Sequence, residues 1–117
     1  MELIKLSEWI EGKNYRKKVL YTANDLGQNN TKVQFVEIES GNEVPPHYHK
    51  KQTEVYNVQK GRAILGIGDQ EYLATEGDVL ICKPEEIHSA KNENSKTFRL
   101  LVFKTNYEED DTYWLDE

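Results

Sequence analysis

Two histidines separated by a single residue, His47 and His49, followed five positions later by the carboxylate of Glu54, carry the clearest chemistry in this sequence. Side chains two apart on an extended segment point to the same face, so the two imidazoles share a side. The polar run Lys50-Lys51-Gln52-Thr53 is suited to reverse the chain and return Glu54 to that side. Two imidazoles and a carboxylate on one face are the beginning of a transition-metal site. The sequence holds three histidines in all, and the third, His88, is the remaining candidate for a fourth ligand. A lone histidine is ordinarily a surface residue or a satisfied polar group. A like-facing pair beside a carboxylate fits that description less well, because each ring then needs its own partner.

The elements that must position these residues read as strands. Segments 18–23, 32–39, 54–59, 62–67, 71–74, 78–82, 88–91 and 97–105 are short and rich in Val, Ile, Leu, Tyr, Phe and Thr. Turn chemistry separates them at Asp25-Leu26-Gly27, Ser40-Gly41-Asn42, Lys60-Gly61, Gly68-Asp69 and Glu76-Gly77-Asp78. Many short strands at this spacing predict an all-β sandwich or barrel. Only residues 7–11 read as helical, one turn stopped at Gly12. Pro45-Pro46 stiffens the chain just before His47 and removes two amide donors, which places that stretch at a sheet end or edge.

Composition narrows the class. A chain of 117 residues predicts a single domain over 1–117, with a core at 33–103 and with 1–31 and 107–117 peripheral. The net charge of −6 argues against nucleic-acid binding, which normally needs a basic stripe. The basic run Lys13, Arg16, Lys17 and Lys18, interrupted by Tyr15, reads as a solvated strand edge. The acidic segment 107–117 reads as mostly a solvated tail, with Tyr113, Trp114 and Leu115 packing on the barrel or on a partner subunit. One cysteine, Cys82, fits a reducing cytoplasm. Its apolar run predicts a buried structural thiol, with a barrel-lining thiol near the metal as the alternative. No apolar segment approaches spanning length and the start has no signal-peptide layout, so no membrane partner is expected and the cytoplasm is the expected location.

Two spaced motifs resemble those of a known family. Gly41-x5-His47-x-His49-x4-Glu54-x6-Gly61 is similar, position for position, to the first motif of the cupins. Gly77-x5-Lys83-Pro84-Glu85-Glu86-Ile87-His88-x3-Asn92 resembles the second. The family's usual proline falls here on Lys83 and its usual glycine on Glu85, which puts the turn before His88 in question and leaves the ligand in place. The resemblance implies a double-stranded β-helix, a jelly-roll barrel of the compact single-domain kind, enclosing one metal. By motif position His47, His49, Glu54 and His88 would be its ligands. Glycines 41, 61 and 77 would serve tight turns, and Asn92 would hydrogen-bond a loop.

Three imidazoles with one carboxylate suit one divalent transition metal, Fe, Mn, Ni, Co, Cu or Zn, and not calcium. Up to two open positions would take water, dioxygen or a small bidentate ligand. Alternation places Tyr56 and Val58 inward with Glu54, making Tyr56 the first candidate for a hydrogen-bond or proton donor beside the metal, with core filling as its other role. Gln34 shares a face with Val36 and Ile38 and is a candidate for binding substrate. The segment 97–105 is apolar on both faces and predicts burial on both, in the barrel or at an interface. No phosphate cradle or inward basic cluster is evident, although Arg62, Arg99 and Lys104 could contribute one. A metal-dependent enzyme on a small organic substrate is the leading expectation: a dioxygenase, an isomerase or epimerase, or a lyase. The alternative is a non-catalytic module that binds or senses a small ligand such as a sugar. A homodimer is expected from the low apolar content, the doubly apolar last strand and the aromatic tail.

Overall fold

In the computed structural model, which describes residues 8–116, two antiparallel sheets face one another. In chain order the elements are β1 (Ile10–Glu11), β2 (Arg16–Tyr21), α1 (Ala23–Leu26), β3 (Lys32–Ile38), β4 (Glu43–Tyr48) and β5 (Thr53–Lys60). There follow β6 (Ala63–Ile67), β7 (Gln70–Ala74), β8 (Val79–Cys82), β9 (His88–Lys91), β10 (Phe98–Thr105) and β11 (Tyr113–Trp114). One sheet runs β1-β2-β3-β10-β5-β8 and the other β11-β4-β9-β6-β7. The architecture is all-β, a jelly roll.

Period-two patterning builds the interior. Along β5, Glu54, Tyr56 and Val58 are buried while Val55 and Asn57 are half-buried; along β10, Phe98, Leu100, Val102 and Lys104 are buried in alternation with more open neighbours. Ile38, Leu65, Ile67 and Ala90 complete the apolar packing from the other strands. Of the outward side chains of β10, Arg99 and Leu101 are half-buried and Phe103 is exposed among the described residues, so within this subunit the strand is fully buried on its inner face only.

Local chemistry sets the turns. Gly61 has φ of 78°, and a Cβ there would meet the Thr97 carbonyl oxygen at 2.6 Å, so both conformation and space demand glycine. Gly41 and Gly77 also have positive φ. Asn92 ties a loop as expected, donating to the Ile38 and Lys96 carbonyls.

Three local expectations change. Ile10–Glu11 pairs with β2 as a strand and is not a helical turn; Ser7 lies outside the described residues. The helix is instead at α1, capped reciprocally by Thr22 and Asp25 and ended by Gly27 in the left-handed region. The Pro45-Pro46 stretch falls inside β4, which lies between β11 and β9 and is not itself an edge. The register between β4 and β9 shifts between Val44 and His47, so the prolines occupy an irregularity where the ladder needs no donor.

Candidate metal centre

His47 and His88 are direct cross-strand partners on β4 and β9, and His49 lies just past the end of β4. Ring centroids are 4.0 Å apart for His47 and His88, 4.9 Å for His49 and His88 and 5.5 Å for His47 and His49. One ring nitrogen from each of the three lies within 4.8 Å of the other two, an arrangement that could hold a metal ion. Glu54 joins them at the start of β5, with Oε1 2.8 Å from His49 Nε2 and 3.5 Å from His88 Nε2.

The opposite side of each ring is already engaged. His47 Nδ1 donates to the Pro45 carbonyl at 2.8 Å, His49 Nδ1 to the Asp111 carbonyl at 2.9 Å and His88 Nδ1 to the Glu86 carbonyl at 3.1 Å. A carbonyl oxygen can only accept, so each Nδ1 carries the proton and each Nε2 of a neutral ring keeps its lone pair. This is how ligating histidines are ordinarily oriented. It also leaves His49 Nε2 and Glu54 Oε1 facing each other as two acceptors, which need a proton or a cation between them. Two ligands at right angles about one ion, each about 2.1 Å from it, lie about 3 Å apart, close to the observed separation. The donor set therefore fits a divalent transition metal.

Electrostatics favour a deprotonated site. Burial, with the neighbouring His88, pushes the His47 imidazole down to about 3, so this ring is neutral near pH 7. Burial alone would raise the Glu54 carboxyl, but its close contacts with the His49 and His88 rings and the charge of Lys104 hold it well below the usual carboxylate range. The Tyr56 hydroxyl donates to Glu54 Oε1 at 3.2 Å. Burial and the Glu54 charge push its pKa well above that of a free phenol, so it remains a donor. Cys82 is buried with Sγ 3.3 Å from His88 Nδ1, and burial raises its thiol to about 12. It backs the histidine as a neutral thiol.

The turn before His88 forms despite its altered residues. Glu86 N–H donates to the Lys83 carbonyl across Pro84 and Glu85, and Glu85 takes φ of 70° at the place of the expected glycine. Proline followed by a positive φ is a type II turn pattern. The Glu85 amide donates to the His49 carbonyl at 2.6 Å, which ties this turn to the first motif.

The acidic tail is part of the centre. The buried Asp111 carboxylate accepts the amides of Lys50, Lys51 and Gln52 at 3.0, 3.0 and 3.3 Å while its carbonyl fixes His49. β11 pairs with β4, stacking Trp114 on His47 at 4.5 Å and Tyr113 on Tyr48 at 5.2 Å. The tail is mostly exposed, as expected, and Tyr113 and Trp114 pack on the barrel, one of the two placements expected for them. What composition did not signal is Asp111, buried within the acidic run.

A cavity of 470 Å³ opens beside the histidines. Gln34 lines it as expected, and its Oε1 is buried without a partner, as is Gln52 Oε1. The cavity is also lined by Tyr15, Lys17, Lys32 and Lys104. The run 13–18 is thus no solvated edge. Its Lys17 turns inward, while its Arg16 binds the buried Glu37 carboxylate with Nε at 3.0 Å. This inward group overturns the expectation of no inward basic cluster; of its three lysines only Lys104 is among the contributors expected from the sequence. Arg99 instead binds Glu37 and Arg62 binds Asn94.

A family model described as "Cupin domain" matches residues 34–104. Among solved structures, a predicted oxalate decarboxylase from Thermotoga maritima is 18% identical with a TM-score of 0.75, covering 86% of this chain and 91% of its own. An RmlC-like cupin from Shewanella frigidimarina is 18% identical with a TM-score of 0.76, covering 94% and 96%. The polyketide cyclase RemF from Streptomyces resistomycificus is 19% identical with a TM-score of 0.73, covering 88% and 72%. No curated protein matches this chain.

Proposed function

This chain belongs to the cupin family, and from that premise we propose that it is a metal-dependent enzyme acting on a small organic substrate. The observation that carries the proposal is the common orientation of His47, His49 and His88, each with Nδ1 spent on a backbone carbonyl and Nε2 left for a cation. Those three histidines and Glu54 would hold one divalent transition metal. Such an ion supplies Lewis acidity, or dioxygen binding if it is redox-active, at positions left open. Tyr56 keeps Glu54 oriented, Trp114 covers one face of His47, and Gln34 presents a polar atom to the substrate across the cavity. At under 25% identity, the likeness to the solved structures carries the fold and no particular substrate.

A second reading is a non-catalytic module that binds a small ligand. Its support is the commitment of the Tyr56 hydroxyl to Glu54, which takes that group out of proton transfer. Elemental analysis of protein purified without chelator, followed by a substrate screen with the metal found, separates the two. Turnover, with or without dioxygen uptake, establishes an enzyme; saturable binding without turnover establishes a module. Protein without bound metal that also fails to bind any added divalent transition metal rejects both.

We further propose that the chain works as a homodimer through the outer face of the six-stranded sheet. Ile81, Val55, Phe103 and Val33 form a continuous cross-strand row there, and Val79 and Leu101 lie in the next. Val79 is 65% exposed, an unfavourable setting for an apolar side chain in a lone subunit. Light scattering at micromolar concentration should give the dimer mass; a monomer mass rejects this.

A further inference from the structure

The inner face of the six-stranded sheet carries a row of charge that the histidine site does not explain. Lys32 on β3, Lys104 on β10 and Glu54 on β5 are successive cross-strand partners. Like charges placed directly opposite one another are destabilising, and these two lysines are such a pair. Lys104 is only 8% exposed and its Nζ lies 4.0 Å from Glu54 Oε2. Lys32 donates to the Tyr107 hydroxyl at 3.1 Å and makes no ion pair among the described residues. Lys17, on β2, lines the same cavity, and burial with the nearby Lys32 weakens its hold on its proton.

The carboxylates at the cavity offset these three ammonium groups only in part, Glu54 acting on Lys104 and Glu109 on Lys17. Glu54 is engaged by the histidines, Glu108 pairs with Lys51 at 2.8 Å, and Asp111 is taken by three backbone amides. Glu109 and Asp110 are exposed at the rim. The buried Gln34 Oε1 also lacks a partner, and as an acceptor it would take a hydroxyl or amine of the same molecule. A buried cationic group costs heavily unless it is paired, so a pocket arranged this way is suited to an incoming anion.

We propose that the cavity binds a small organic anion whose oxyanion group is held by Lys32, Lys104 and Lys17, with Gln34 Oε1 accepting from a hydroxyl or amine of the same molecule, placing the rest of it against the histidine cluster. This rests on the proposed metal site for the chemistry, and on the lysines alone for the binding. The anion can be a carboxylate or a phosphate, since both present oxygen acceptors to ammonium donors.

Calorimetric titration of metal-loaded protein with lactate, with lactamide as its neutral counterpart, and with inorganic phosphate tests the proposal. Lactate should bind at least about ten-fold more tightly than lactamide, as expected for one charge-assisted contact, and should weaken with salt. Phosphate binding tighter than lactate keeps the anion site and assigns it to phosphorylated substrates. The variant Lys32→Met should lose about ten-fold in affinity for the anion, keep full metal content, and melt no lower than the wild type because it relieves like-charge opposition. Lys17→Met provides the same readout away from Glu54. Equal binding of lactate and lactamide with no phosphate binding, or unchanged anion affinity in both variants, overturns the proposal while leaving the metal site standing. Anion binding that persists in protein unable to hold metal keeps the lysine site and removes the metal reading.

Discussion

The six-stranded sheet buries one carboxylate on each face, and the two are neutralised by different chemistry. On the outer face, Glu37 is 2% exposed and sits in a cross-strand row with Arg16, Arg99 and Lys60. Arg16 binds its Oε1, Arg99 binds Oε2 through Nε at 2.7 Å and Nη2 at 2.6 Å, and Trp9 lies over both guanidinium groups. On the inner face, Glu54 is 6% exposed and meets His49, His88, Tyr56 and Lys104. An arginine cannot give up its charge, so the outer cluster is closed and serves the fold. A histidine can exchange a proton for a metal, so the inner cluster is open to a ligand. Equal burial thus accompanies opposite roles, and the partner type decides between them.

The comparison can be broken most severely at the inner face. His49→Ala is expected to abolish stoichiometric metal binding, read by elemental analysis after dialysis. Full retention would falsify the assignment of this residue as a ligand. The two carboxylates should then separate by readout. Glu37→Gln is expected to cost about 3 kcal/mol in chemical denaturation, the low end for breaking a buried ion pair because its arginines still reach water. It should leave metal affinity untouched. Glu54→Gln should lower metal affinity by about ten-fold or more while changing stability little, since a neutral amide keeps the shape and loses the ligand charge. If the two variants respond alike, the distinction between a closed and an open cluster fails.

Acidification sharpens the same contrast. Burial raises the Glu37 carboxyl, but hydrogen bonds and charge from Arg16 and Arg99 bring it below its usual value. Its stabilisation is therefore complete above the unfolded-state pKa of about 4.3 and is lost as pH falls through the lower folded value. Metal release is a separate event at the inner cluster, because its ligands bind metal only when deprotonated. Paired titrations with a metal indicator and circular dichroism should show two transitions, one of metal release and one of unfolding, and Glu37→Gln should flatten only the unfolding. A single coincident transition in the wild type would couple the two faces. The smallest effect belongs to the turn that joins the motifs. Glu85 sits at φ of 70°, where glycine is favoured, so Glu85→Gly should stabilise by about 0.5–1 kcal/mol with metal affinity unchanged. A lower melting temperature would mean that the Glu85 side chain contributes more than its backbone strain costs.

The sequence by itself determined the barrel and the residues its histidine centre draws on, because both are written in local terms. Alternation at period two sets which side chains of β3, β5 and β10 turn inward, and motif spacing singles out His47, His49, Glu54 and His88 within a single short span and one later turn. The same alternation brought Tyr56 and Gln34 inward. Only the tertiary structure decided what surrounds them. Asp111 reaches Lys50 across about sixty residues, Trp114 reaches His47 from a two-residue strand, and Lys17 joins Lys32 and Lys104 from an N-terminal run that reads as a solvated edge. These contacts depend on which strands become neighbours and on where the chain ends fold back. That is a property of sheet order, and neither composition nor periodicity along the chain encodes it.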